Sequence, residues 1–538
     1  MTFVSLAFLI FIAITFILYF LTPPKFKWIV LLVSSSIFYA INSVESLAYI
    51  VITSLSVFLC GRLIAKNYEK QEAALDGQDK DWLRANKKAT IAQYNKSRKT
   101  IMLTALLLNF GILGFVKYFD FLATTINEVI QSTLHIQDVL PRFDLLLPLG
   151  ISFYTFQALG YILDVYRGKY KAEKNYAKFA LFISFFPQIV QGPIGRYDHL
   201  AHQLYTPHKF DYREFKFGLQ LLLWGLFKKL VVADRAAVFI EAVIPNYEKH
   251  GGTIVGFAVL MFVLQVYADF SGGMDIARGV AQCMGIKLEL NFTRPNFAVS
   301  ISDYWQRWHR TLGSWMRDYL LYSVALSKPF NKLNKWSRKK MGNYFGKLFP
   351  TCLAMTIVFF VVGIWHGPGW KNIAFGFYNG FWIVLGILLA TPILNFRKKH
   401  SSIDVDKPFW RILAVLKTFI IVYIGKFFAA APDFTVAIKM MQKTFFDPTL
   451  PTRTAMFKNT GFTAREMFVV FAGVVVMFFV GLYQERKGEN NLSEGVLREA
   501  IAKKNIVIRW SLYFAIIFAI LLFSAGAGAN GGFVYEQF

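Results

Sequence analysis

Apolar residues run along this chain in long blocks, without the alternation of a half-buried strand or the one-sided stripe of a surface helix. Twelve such runs lie near 2–22, 28–43, 46–64, 101–117, 145–163, 217–236, 253–268, 349–365, 372–393, 410–428, 467–483 and 507–524. A helix needs roughly 20 apolar residues to cross the hydrocarbon core of a bilayer. The pattern therefore predicts an all-α polytopic membrane protein with about 11–12 transmembrane helices, forming a single membrane-embedded domain over residues 1–538. A further stretch, Leu181 to Gly195, is broken by Pro187, Gly192, Pro193 and Gly195 and predicts a re-entrant segment. Such backbone is tolerated at membrane depth only where protein or a water-filled cavity satisfies it, so a cavity is expected nearby. The first run has no basic residue before it and no Ala-x-Ala cleavage site, which predicts a retained helix and not a signal peptide.

The polar remainder agrees with this reading. Charged residues make up 17% of the chain, against roughly 25% in soluble domains, too few to cover a water-facing globule of this length. The net charge of +26 could suggest nucleic acid, but the basic residues sit in short blocks between apolar runs, as cytoplasmic loops do. No nucleic-acid partner is expected; anionic lipids are. The blocks 66–99, 167–178, 328–347, 396–407 and 485–504 are placed in the cytoplasm, which puts the N-terminus outside. The connection 119–144, with Asp120, Glu128 and Asp138, the connection 430–465 and Phe538 then fall outside as well. The loop 66–99, of mixed charge, reads as a solvated cytoplasmic hairpin or helix. Lys228-Lys229 inside the run 217–236 breaks the topology pattern and predicts a helix lying at the cytoplasmic surface. Cys60, Cys283 and Cys352 form neither a Cys-x-x-Cys pair nor a Cys/His cluster, so no disulfide framework and no metal site is expected. Nucleotide-binding loops, His-Glu-x-x-His and a placed Gly-x-Ser-x-Gly elbow are missing.

Two histidines stand out in apolar surroundings, where ionisable groups are costly. His366 closes the run 349–365 in Gly363-Ile364-Trp365-His366-Gly367-Pro368-Gly369. The glycines and proline break the helix there and open the backbone to a substrate. His309 lies within Ile301–Tyr319, where Trp305, Trp308, Leu312, Trp315 and Tyr319 form one helical stripe and Asp303, Arg307, Arg310, Ser314 and Arg317 lie opposite. The region 296–326 is thus predicted to carry an amphipathic helix with an aromatic face, His309 facing protein or lipid. The competing readings are a satisfied core histidine for each and an interfacial anchor for the tryptophans. His199 and His202 share a face but have no third metal ligand; with His135, His208, His250 and His400 they read as loop residues.

The run Arg294-Pro295-Asn296-Phe297, then Ser300-Ile301-Ser302-Asp303-Tyr304-Trp305-Gln306-Arg307-Trp308-His309 and Ser314-Trp315-Met316-Arg317-Asp318-Tyr319-Leu320, closely resembles the signature of bacterial membrane-bound O-acyltransferases (MBOAT). So does Gly363-Ile364-Trp365-His366-Gly367. Supporting matches are Pro148–Gln157, Phe186–Ile194, Gly225–Lys229, Tyr267–Gly272 and the ending Phe533–Phe538. Within the family the chain is similar to the alginate O-acetyltransferase AlgI subgroup, with the D-alanyl transferase DltB and the peptidoglycan O-acetyltransferase PatA as relatives. It departs from that subgroup at Gln306-Arg307, where Arg-Arg is common, and at Arg310-Thr311, where Ile-Ser is common; neither departure touches the histidines.

The resemblance implies a helical body around a central tunnel. It implies catalysis by His366 and His309, with Asp303, Trp305, Trp308, Trp365, Gln191, Asp269 and Ser271 as substrate or tunnel residues. No permanently bound cofactor is implied. The implied donor is acetyl-CoA or an acyl-carrier thioester, and the implied acceptor a polysaccharide outside the bacterial cytoplasmic membrane, reached directly or through an outer acetyltransferase partner. A neutral imidazole, with an unperturbed pKa near 6.5, suits removal of a hydroxyl proton by His366, while His309 would orient the thioester or steady the oxyanion. Two alternatives stand beside this: D-alanyl transfer to teichoic acid, and a conduit that passes acyl groups or polysaccharide without making bonds.

Overall fold

A computed structural model describes residues 2–136, 139–143, 147–189, 191–399, 407–449, 456–457, 460–488, 495–524 and 532–533. Asp138, Val190, His400 and parts of the segments 396–407, 430–465 and 485–504 lie outside the described residues, as does the tail Val534–Phe538. The described residues are helical, without strands. They divide into two compact units, the first comprising 3–215 with 281–288, the second 216–280 with 289–538.

The first unit begins with α1 (Leu6–Leu21), α2 (Lys27–Asn42), α3 (Val44–Leu75) and α4 (Lys80–Leu134). At about 1.5 Å per residue the 55 residues of α4 far exceed a hydrocarbon core of ~30 Å. Its charged first half therefore projects beyond the bilayer, and with the end of α3 it makes the segment 66–99 a helical hairpin. Arg98 pins that hairpin: its guanidinium lies 3.8 Å over the Tyr68 ring and donates to Gln71 at 2.7 Å. α5 (Ile151–Tyr166) follows, with nearly every side chain buried. It corresponds to the expected crossing 145–163, but it is wrapped by protein, a setting that hydropathy cannot tell from lipid. α6 (Tyr176–Ser184), α7 (Phe186–Ile189) and α8 (Tyr197–Tyr205) complete the unit. The stretch 181–195 is broken into short pieces, and Gln188 donates to Gln157 of α5 in place of a regular helix ladder.

In the second unit α9 (Tyr212–Leu226), whose first turn belongs to the first unit, runs into a π-helical turn, Phe227–Ala233, and then α10 (Asp234–Val243). α11 (Gly252–Cys283) follows, then the short helices α12 (Ile301–Arg307), α13 (Arg310–Trp315) and α14 (Tyr322–Ala325). The rest is α15 (Lys328–His366), α16 (Trp370–Lys399), α17 (Pro408–Ala430), α18 (Phe434–Phe446), α19 (Ala464–Lys487), α20 (Val496–Ala502) and α21 (Ile506–Phe523). α15 is interrupted at Gly342, whose φ of 73° suits glycine.

Among the described residues nine helices are long and apolar enough to cross a membrane: Pro24–Asn42, α3, α4, α11, α15, α16, α17, α19 and α21. Each coincides with one of the twelve apolar runs, and α1 is a shorter apolar helix over the first of them. Large apolar side chains stay exposed on these helices, Leu107 on α4 and Leu521 on α21 among them, as lipid contact requires. This is a multi-pass membrane protein.

The run 217–236 differs from expectation. Lys228 and Lys229 do not lie at a surface: both are buried, because the π turn aims them at carboxylates of α10 and α11. Lys228 Nζ donates to Asp275 at 2.6 Å and to Ser271 at 2.9 Å. Lys229 Nζ meets Asp269 and Asp234, each at 2.7 Å. Elsewhere, α15 and α16 cross with their backbones touching at Gly363 and Gly376. A Cβ on Gly376 would stand 2.4 Å from the Phe359 carbonyl oxygen, and one on Gly363 2.6 Å from that of Asn372.

Removing one partner of a buried ion pair strands the other. Lys229→Met is therefore expected to destabilise the protein by about 3–5 kcal/mol, seen as a lowered melting temperature in detergent, and Asp269→Asn added to it should restore part of the loss. An unchanged melting temperature would remove the pair from the fold's supports. Gly376→Ala is expected to force α15 and α16 apart at a cost of about 1–3 kcal/mol, again read by thermal melting; a neutral result would mean that the crossing tolerates a methyl.

Candidate active site

The site begins where helical geometry stops. The stripe predicted over Ile301–Tyr319 is largely present, with Trp308, Leu312, Trp315 and Tyr319 buried, but it is not carried by one helix. α12 ends at Arg307 and α13 starts at Arg310. Between them His309 adopts φ 49° and ψ 50°, a left-handed conformation that costs an L-residue roughly 1–2 kcal/mol. Stepping 100° per residue cannot foresee such a break, because the partners that hold it come from elsewhere. The Thr293 N–H bonds the Arg307 carbonyl and the Arg310 N–H bonds the Asn291 carbonyl, both at 3.0 Å. The extended segment before Arg294 thus satisfies the backbone that the break exposes.

Asn291 also sets the imidazole. Its Oδ1 accepts from the Thr311 N–H at 3.0 Å and from Thr311 Oγ1 at 2.8 Å, which fixes the orientation of the amide. Of the two amide atoms near His309 Nδ1, Nδ2 at 3.1 Å and Oδ1 at 3.3 Å, Nδ2 is then the one left to pair with it, as a donor. A neutral ring that accepts at Nδ1 carries its proton on Nε2. The ring is 1% exposed, and that burial drives its pKa well below the ordinary histidine value. His309 is therefore a neutral hydrogen-bond donor through Nε2.

His366 is the last residue of α15, placed there because Gly367 (φ 152°) ends the helix in backbone that favours glycine. It is half-buried. Its ring meets Trp365 at 5.0 Å and Phe375 of α16 at 5.4 Å between centroids, the second contact set by the Gly363–Gly376 crossing. Trp365 in turn lies 5.5 Å from His309, so a single indole separates the two imidazoles. The contacts continue until they close. Phe270 of α11 packs on His309 at 5.0 Å and on Trp308 at 6.4 Å. Lys426 of α17 completes the ring, its Nζ 4.8 Å over the Trp308 ring and 5.7 Å over that of Phe375. Five segments, α11, the α12–α13 break, α15, α16 and α17, thus supply one circuit of side chains.

Four of the residues singled out in the sequence, His309, His366, Trp308 and Trp365, fall in this circuit. Trp305 borders it, its ring 6.4 Å from Phe375 and its Nε1 donating to Asn379 at 3.3 Å. Asp303 is engaged otherwise, accepting from the Val299 N–H at 3.0 Å and from Arg307 Nε at 2.7 Å. Arg307 extends that network to Glu485, which Arg294 and Arg411 also reach. Asp269 and Ser271 are taken up by Lys229 and Lys228. Gln191 belongs to the first unit, fully buried, with neither end of its amide hydrogen-bonded among the described residues. No group of three or more His, Cys, Asp or Glu able to hold a metal occurs among the described residues.

Sequence reading missed Asn291, Thr311, Phe270, Phe375 and Lys426. Asn291 and Phe375 carry no local signal, and Phe270 and Thr311 fall in stretches compared with the family without being singled out. Lys426 carried one, a cation inside the apolar run 410–428, which also holds Arg411 and Lys417.

Comparison with known proteins agrees with this architecture. Residues 173–424, which hold both histidines, match the model of MBOAT, membrane-bound O-acyltransferase family. The chain is 29% identical over 87% of its length, and 78% of the relative's, to a Pseudomonas aeruginosa protein named Probable alginate O-acetylase AlgI. It is 30% identical to the Helicobacter pylori Peptidoglycan O-acetyltransferase over 65% of each chain. To the Bacillus subtilis Teichoic acid D-alanyltransferase it is 27% identical over 56% of its own length and 73% of the relative's. Residues 173–424 of this chain are thus a membrane-bound O-acyltransferase family domain.

Proposed function

We propose that the protein is an O-acetyltransferase of a bacterial cytoplasmic membrane, with its N-terminus outside. It moves an acetyl group from a cytoplasmic thioester, acetyl-CoA or an acyl carrier, to hydroxyls of a polysaccharide beyond the membrane, directly or through an outer transferase. The observation that carries this reading is the pairing of two histidines of different character across Trp365: one kept neutral by burial and oriented by Asn291, the other at an opened helix end. The AlgI and peptidoglycan relatives support acetyl as the group and polysaccharide as the acceptor class.

In this reading His366 is the general base. As the acceptor oxygen forms its bond to the thioester carbonyl carbon, the hydroxyl proton passes to the His366 imidazole and the carbonyl π pair moves onto oxygen. Collapse of that oxyanion breaks the carbon–sulfur bond, and the leaving thiolate takes the proton back, so atoms and charge balance. The His309 N–H donates to the developing oxyanion, a contact that strengthens in the transition state. The same chemistry would serve D-alanyl transfer. That second reading rests on the teichoic acid relative, which matches a smaller share of the chain.

Two outcomes test the assignment, with purified protein, radiolabelled acetyl-CoA and polysaccharide acceptors. His366→Ala, inserted and folded, should lose about 10²–10⁴-fold in rate; transfer at the normal rate would refute its role as base. Because the base must be neutral to accept a proton, activity should rise with pH through a single ascending limb. His309→Asn should lower the rate, by about 10²–10³-fold for one lost oxyanion donor, and leave that limb where it is. A limb that moves or disappears in His309→Asn would assign the proton transfer to His309.

A further inference from the structure

Among the described residues Lys426 has no counter-ion. It is 7% exposed, lies near the C-terminal end of the apolar helix α17, and makes no ion pair or hydrogen bond among the described residues. Its recorded partners are two π faces, Trp308 and Phe375. Every other buried lysine of this unit is handled differently: Lys228 and Lys229 each meet carboxylates at 2.6–2.7 Å. A cation over aromatic faces gains about 0.5–2 kcal/mol, far less than the several kcal/mol that burying an ion costs. Stability alone gives no reason to place a lysine there.

Its position does. The two rings that hold Lys426 are the ones that continue the circuit to the histidines: Phe375 touches His366, and Trp308 is the residue before His309. We infer that the Lys426 ammonium is a catalytic residue of the acyl transfer proposed above, supplying the positive charge that stabilises the thioester oxyanion beside the His309 N–H. The inference rests on that reading of the reaction. Both reactants are neutral at the reacting centre, and the negative charge exists there only as the carbon–oxygen bond forms. A cation left uncompensated in the resting protein and held by polarisable rings is suited to a charge that is transient, since it is not neutralised before the reaction begins. A CoA phosphate lies too many bonds from the thioester carbon to reach Lys426 while the carbonyl stands between the histidines. The one other anion within reach would be a carboxylate on the acceptor sugar, and that reading makes a different kinetic prediction.

The full chain in lipid nanodiscs, assayed with radiolabelled acetyl-CoA, decides between them. Lys426→Met should lower kcat by about 10²–10³-fold with the KM for acetyl-CoA nearly unchanged, and Lys426→Arg should recover a substantial part of the loss. The melting temperature of Lys426→Met should hold or rise, because the variant removes an uncompensated buried charge. The inference is overturned if Lys426→Met keeps its kcat. It is overturned equally if the defect lies wholly in KM for a charged acceptor and vanishes with a neutral one, which would assign Lys426 to acceptor carboxylates, or if the melting temperature falls, which would make the lysine structural. His366→Ala, run in parallel, reports on the reaction itself: full activity there overturns the general-base reading whatever Lys426 does, whereas a dead His366→Ala beside a fully active Lys426→Met overturns the lysine alone.

Discussion

Backbone polar groups in apolar surroundings must find partners inside the protein, and the candidate site depends on that constraint at two places. A helix crossing the membrane satisfies itself, so its side chains stand at fixed 100° steps and none can be presented from an opened backbone. At His309 the ladder is abandoned, and the freed groups of Arg307 and Arg310 are taken by Thr293 and Asn291. At His366 the ladder ends on glycine backbone. The opening at His309 is closed by another segment and that at His366 by its own last turn, through the Gly367 N–H to the Ile364 carbonyl.

The second organising feature is how charge is buried. Around the π turn the cations are matched, Lys229 against Asp269 and Asp234, Lys228 against Asp275. The Glu485 cluster does the same with Arg294, Arg307 and Arg411, joining α19 and α17 to the end of α12 and the segment before it. These pairs fix which helices are neighbours. Lys426, set among rings, joins no such pair among the described residues, and on this contrast between compensated and uncompensated cations its proposed catalytic role rests.

Much of the candidate site was legible before any fold was known, and the part that was not has a physical pattern. His309, His366, Trp308 and Trp365 announce themselves because a polar or amphipathic group in an apolar run is costly and therefore conspicuous. Asn291, in a loop, and Thr311, in the first turn of α13, are ordinary residues, and their importance comes only from Asn291 bonding both Thr311 and the imidazole across the chain. Asp303, Asp269 and Ser271 were drawn in by the resemblance alone, and each is engaged by a nearby cation. A costly group is either paired or used, and one dimension does not say which.

The sequence by itself determined that this chain lives in a bilayer, roughly where its helices run, and that His366 lies beside a break, because hydrophobic length and helix-breaking residues are local properties. Tertiary structure alone decided that α5 is sheathed by protein, that Lys228 and Lys229 are interior ions, and that α12 and α13 are two helices. It also decided that His309, His366 and Lys426 meet in one circuit. Those outcomes depend on which distant segment supplies the hydrogen bond, the carboxylate or the ring, and on the close approach of α15 and α16 that two glycines permit.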